Sequence, residues 1–191
     1  MPNSTELPIF PFETKKKFAD WLAKNHDKSS GLWLKIAKKA TGISTVTYAE
    51  ALDVALCYGW IDGQKNSFDE QYFLQKFTPR RPKSIWSRIN VGHVERLIAS
   101  GEMKPSGLKA VEAAKQDGRW EAAYSSQKTI EVPADFQSAL DKNKKAKVFF
   151  EGLTGSRRYA FLFRIETAKK AETRQKRIQQ FVEMLAKGET L

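Results

Sequence analysis

Cysteine is nearly missing from this chain. Cys57 stands alone among 191 residues, which excludes an internal disulfide. Histidine is almost as scarce, with only His26 and His93, and no Cys/His/Asp cluster has metal-ligand spacing, so no metal site is expected. No apolar run approaches the roughly 18 residues of a membrane span, so membrane insertion is not expected. The start, from Met1 to Phe10, lacks a basic region followed by an apolar run, so it does not read as a signal peptide. Gly-rich phosphate loops and serine elbows are missing too. Nothing implies a cofactor, and the expected setting is the cytoplasm.

What is present is positive charge. There are 33 Lys+Arg against 22 Asp+Glu, a net +11. Such a balance attracts nucleic acid, acidic surfaces or small anions without choosing among them, and it also occurs in merely basic proteins. The apolar and charged fractions are those of an ordinary folded chain.

Residues 1–12 read as an extended, Pro-punctuated arm. Thr14 to Asn25 reads as a helix, with Phe18, Trp21 and Leu22 on one face. Leu32 to Ala37 reads as a strand. Thr47 with Glu50 forms a capping box for a helix over 48–58 that stops at Gly59. Trp60–Ser67 and Gln71–Phe77 read as a hairpin. After Pro82, helices are expected near 84–99, 106–116, 134–151, 156–169 and 171–187. The fold class is therefore α+β and predominantly helical, with a small antiparallel sheet of about three strands. The expected division is a motif-bearing α+β domain over 1–125 and a helical region over 130–191, joined by Ser125–Thr129.

The densest chemistry lies between Trp60 and Asn90. Pro79 and Pro82 bracket Arg80 and Arg81 on a stiff bend. Arginine recognises carboxylate or phosphate through two parallel hydrogen bonds, and the free amides of a helix starting at Ser84 would add to the attraction. The alternative is an internal ion pair of either arginine with Asp62. On a helix from Ser84, residues Trp86, Ile89, His93, Val94, Leu97 and Ile98 share an arc. Asn90 falls near its middle and Ser87 toward one side. Asn90 therefore faces either a backbone partner or a ligand. Trp60 and Trp86 either wall a pocket or fill the core. Cys57 shares a helix stripe with Asp53 and Glu50, whose charges raise a thiol pKa and make it a poor nucleophile.

The C-terminal part is rich in Lys and Arg. Its last helix carries Ile178, Phe181, Val182 and Leu185 on one face, with Arg174 continuing that stripe inward.

The runs Glu50–Gly63, Phe77–Asn90, Gly118-Arg119-Trp120 and Ala168–Ile178, together with Val132–Asp135, resemble the YdeI/OmpD-associated family over about Phe18 to Gly188. The resemblance implies a bacterial protein linked by name to bacteriocin protection and an outer-membrane porin, with no assigned reaction. A stress or envelope-protective role exerted from the cytoplasm is what it suggests. The family's motif residues map onto Trp60, Asp62, Arg80, Arg81, Ser84, Trp86, Ser87 and Asn90. Taken together, the chain reads as a binding protein for a small anionic ligand held by these residues, with a protein partner also in view. One alternative is sequence-independent nucleic-acid binding by the basic C-terminal face. The other is an enzyme using Asp62 as acid or base.

Overall fold

The computed structural model describes residues 7–191 and divides into two compact units. The first comprises residues up to Ile85 together with Asn90–Glu121, and the second Trp86–Ile89 with Ala122–Leu191. The α+β class is as the sequence implies. Of the expected arm over 1–12, residues 1–6 lie outside the described part.

The first unit is built on one mixed sheet in the order β1-β2-β4-β3. Strand β1 (Ile9–Pro11) runs parallel to β2 (Leu32–Ala37), and helix α1 (Lys15–Asn25) crosses between them. The sheet thus has one strand more than the antiparallel three expected. The Pro8 carbonyl accepts from the Trp33 amide at 2.9 Å, so the end of the supposed arm is drawn into the sheet. Strands β3 (Trp60–Ser67) and β4 (Tyr72–Pro79) form the hairpin, and β2 pairs antiparallel with β4. Its turn is fixed by Asp69, whose carboxylate accepts from the amides of Gln71 and Tyr72 at 2.8 and 2.7 Å. A bulge at Gly63–Gln64 interrupts the β3–β4 register. The buried side-chain amide of Gln75 donates to both bulge carbonyls, at 2.9 and 3.3 Å.

Thr14 caps α1 by accepting from the Lys17 amide, and Phe18 and Leu22 point into the core. There Phe12, Phe18 and Phe77 stack in sequence, with centroids 5.2 and 5.8 Å apart. Trp21 meets Trp60 edge-on at 5.9 Å. Helix α2 (Tyr48–Cys57) carries the full capping box and is buried over most of its length. Gly59 follows it at φ 76°, a left-handed turn suited to glycine. Helices α3 (Arg88–Ala99) and α4 (Pro105–Gln116) follow. Gly107 lets α4 meet the end of α2, since a Cβ there would lie 2.2 Å from the Cys57 carbonyl oxygen.

The second unit contains α5 (Ala134–Asp141), α6 (Lys144–Glu151), α7 (Gly155–Glu166) and α8 (Ala171–Ala186). The single helix expected over 134–151 is split, because Asn143 turns its side chain to cap the Ala146 amide at 3.1 Å. The core includes Phe136, Phe150, Phe161 and Phe181, with successive rings edge-on. Arg174 docks inward as its stripe position implied. It donates to Asp135 at 2.7 and 2.9 Å and to the Ile165 carbonyl at 2.8 Å. The expected linker Ser125–Thr129 is tied down at its start. The Glu166 carboxylate accepts from the Ser125 amide and hydroxyl at 3.0 and 2.7 Å, and the Tyr159 hydroxyl donates to the Ser125 carbonyl.

Candidate functional site

The helix expected from Ser84 begins only at Arg88. A turn precedes it. The Ser84 amide donates to the Arg81 carbonyl at 2.9 Å, and the Ser84 hydroxyl accepts from the Arg81 amide at 3.1 Å. Trp86 and Ser87 are then extended, because the Tyr124 amide donates to the Trp86 carbonyl and the Arg88 amide donates to the Tyr124 carbonyl. The free helix amides expected beside the arginines are therefore not at Ser84. The helical arc also narrows. Asn90, Val94 and Leu97 are buried, whereas Ile89 and Ile98 are exposed.

Arg80, Arg81 and Ser84 share one turn of the first unit. The Arg80 guanidinium donates to the Ile85 carbonyl at 3.3 Å. Arg119, itself buried, holds the turn from below by donating to the Ser84 carbonyl at 2.9 Å while pairing with Asp117. The Arg81 side chain is exposed and in no ion pair among the described residues. Asp62 is not the arginines' counter-ion. It accepts from the Tyr48 hydroxyl at 2.8 Å. Burial, reinforced by Asp62, pushes the Tyr48 phenol well above its ordinary range, so Tyr48 stays a donor. Trp60 is buried, and its indole donates to the His26 carbonyl at 3.0 Å. Trp86 and Ser87 belong to the second unit, where Trp86 is buried.

A second cluster was not legible in the sequence. Asp53 on α2 accepts from Arg96 at 2.6 Å and lies 3.1 Å from His93 Nδ1, both on α3. Lys15 and Glu102 pair at 2.9 Å. Nearby, burial pushes the Cys57 thiol up to about 11, with the Glu102 charge adding to it. Such a thiol is no nucleophile at neutral pH.

The most open chemistry lies at the hairpin end of the sheet. A cleft of ≈ 490 Å³ is lined by Lys38, Lys39, Lys65, Asn66, Ser67 and Phe73. An adjoining cleft of ≈ 230 Å³ shares Lys38, Lys39 and Phe73, and reaches Thr45, Thr47 and Tyr48. No carboxylate lines either cleft. Among the described residues none of the three lysines is in an ion pair. Lys38 donates to the Asp69 carbonyl at 2.8 Å, and the Lys65 ammonium lies 4.4 Å from the Phe73 ring centroid. Lys38 and Lys65 are far apart in sequence and meet because β2 and β3 flank β4. Only the alternation of the strands hinted at this.

Among the described residues no group of three His, Cys, Asp or Glu could hold a metal ion, and no helix is long and apolar enough to cross a membrane. An α+β unit with a cation-lined cleft, followed by a helical unit, defines the class. The chain belongs to the family described as a domain of unknown function (DUF8412), whose model matches residues 10–110, and over 129–188 it matches the family described as bacteriocin-protection, YdeI or OmpD-associated. The second match meets the resemblance read from the sequence, while the motifs from Glu50 to Asn90 fall within the first. No curated protein and no solved structure matches the chain.

Proposed function

We propose that this protein is a binding module for a small anionic ligand, and that the cleft of Lys38, Lys39 and Lys65 is where the anion sits. The observation that carries this reading is three ammonium groups on one cleft that no carboxylate lines. Asn66 and Ser67 supply neutral donors beside them. The turn of Arg80, Arg81 and Ser84 in the first unit is the second location, favoured by the exposed guanidinium of Arg81. The family description brings bacteriocin protection to this chain as a proposed role, exercised by sequestering or sensing the anion in the cytoplasm. Acid–base catalysis by Asp62 finds less support, because its partner Tyr48 is held protonated.

Isothermal titration with phosphate, pyrophosphate and citrate tests the reading on wild type, Lys38→Gln/Lys39→Gln/Lys65→Gln and Arg81→Gln. Binding abolished by the triple change and kept by Arg81→Gln assigns the cleft. The reverse pattern moves the site to the turn. No heat with any anion at low salt removes the proposal.

A further inference from the structure

The lysines of the cleft are part of a larger pattern. On β2, Leu32, Leu34 and Ile36 are buried, so Trp33 and Lys35 alternate onto the opposite face. Register puts Trp33 opposite Lys76, and Ala37 opposite Tyr72, on that same face. The Lys35 ammonium lies 4.0 Å from the Tyr72 ring centroid and 4.7 Å from that of Phe68. Lys76 lies 5.8 Å from the Trp33 ring. Phe68, at the hairpin tip, is 45% exposed. On the other side of the same tip, Lys65 sits over Phe73 beside Lys38 and Lys39. Both faces of the sheet's hairpin end therefore carry cations interleaved with rings. None of Lys35, Lys38, Lys39, Lys65 and Lys76 is ion-paired among the described residues. Of the nearby carboxylates, Asp62 accepts from Tyr48, and at the tip Asp69 and Glu70 are both exposed, with Asp69 accepting from two turn amides.

We infer that the hairpin end of the sheet binds single-stranded nucleic acid, with phosphates on the lysines and unstacked bases on Phe68 and Tyr72. This rests on the anion-binding reading above and names the anion as a phosphodiester. Among the described residues, five unpaired lysines against two exposed carboxylates at the tip leave a net positive patch that attracts any polyanion. The exposed ring of Phe68 and the half-buried ring of Tyr72 beside them favour one whose bases are free to stack, which excludes a duplex as the preferred ligand. The C-terminal basic face is less suited. Arg174 and Lys147 are in ion pairs there, Arg177 donates to the Arg164 carbonyl, and Glu172 and Glu183 lie among Lys170 and Lys176.

The test is fluorescence anisotropy on the full chain with dye-labelled dT12, rU12, an abasic strand of equal length and a duplex. Unlabelled polyphosphate serves as competitor, and circular dichroism checks the fold of each variant. The expected result is dT12 or rU12 binding about ten-fold tighter than the abasic strand. The slope of log affinity against log salt should be about −2 to −3.5, at roughly −0.7 for each of three to five phosphates. Phe68→Ala should remove the preference for bases, Phe68→Tyr should restore it, and Glu70→Gln should tighten binding. If the abasic strand and polyphosphate bind as well as dT12, and Phe68→Ala changes nothing, the inference falls while anion binding stands. If no anion binds at low salt, both fall. Binding that survives Lys38→Gln/Lys39→Gln/Lys65→Gln but is lost on Lys169→Gln/Lys170→Gln/Lys176→Gln also overturns the inference.

Discussion

Cys57 lies at the end of α2 with Glu102 nearby, and burial outweighs that charge in raising its thiol. Ellman's reagent at pH 8 should therefore label the native protein at least about a hundred-fold more slowly than free cysteine, with urea restoring the fast rate. Asp135 is the opposite case. The Arg174 guanidinium holds its carboxyl below the usual range, opposed next by burial and helped to a lesser degree by the Phe136 amide. A lowered folded pKa adds stability that is complete above the ordinary carboxylate range. That stability is lost as pH falls through the lowered value. The carboxylate is about half exposed, so water screens the pair and its contribution is about 0.5 kcal/mol. Asp135→Asn should thus lower the melting temperature slightly at pH 7, by the equivalent of about 0.5 kcal/mol, with the difference from wild type fading as pH falls below about 4. Arg174→Ala should cost more, about 1–2 kcal/mol by urea denaturation, because the Ile165 carbonyl also loses its donor.

At the scale of elements, local chemistry decided what could be read in advance. The apolar face of Phe18, Trp21 and Leu22 announces α1, the capping box of Thr47 and Glu50 announces α2, and the large apolar residues of Leu32–Ala37 announce β2. Where a tertiary hydrogen bond overrides local preference, the sequence is silent. Ser84–Ser87 has helical spacing but is drawn extended by pairing of its neighbours with Tyr124, and Asn143 breaks a helix whose apolar stripe continues through it. The same limit applies to the candidate site. Arg80 and Arg81 stand out between prolines, but the lysine cleft exists only once three strands are side by side. The junction of α2 with α4 offers the sharpest test of an element's placement. Gly107→Ala would force a methyl group into the Cys57 carbonyl, so it should destabilise the first unit by about 3 kcal/mol in urea titrations. A change under about 0.5 kcal/mol would mean that α4 does not pack there.

Over the whole molecule, 33 basic side chains against 22 acidic ones repel one another at low ionic strength. Raising sodium chloride from about 10 to 150 mM shortens the Debye length from roughly 30 to 8 Å, so the melting temperature should rise. A further rise with phosphate at matched ionic strength would report occupancy of a site instead of screening. Charge also bears on association, as does the shape of the sheet. Its two outermost strands are poor templates for another chain. Strand β1 has only three residues and ends in Pro11, and β3 is kinked by its bulge. The kink persists because the Gln75 amide fastens both carbonyls of Gly63 and Gln64 from inside. That one internal side chain therefore acts as a safeguard against fibre formation, keeping β3 too crooked to be extended by a second molecule.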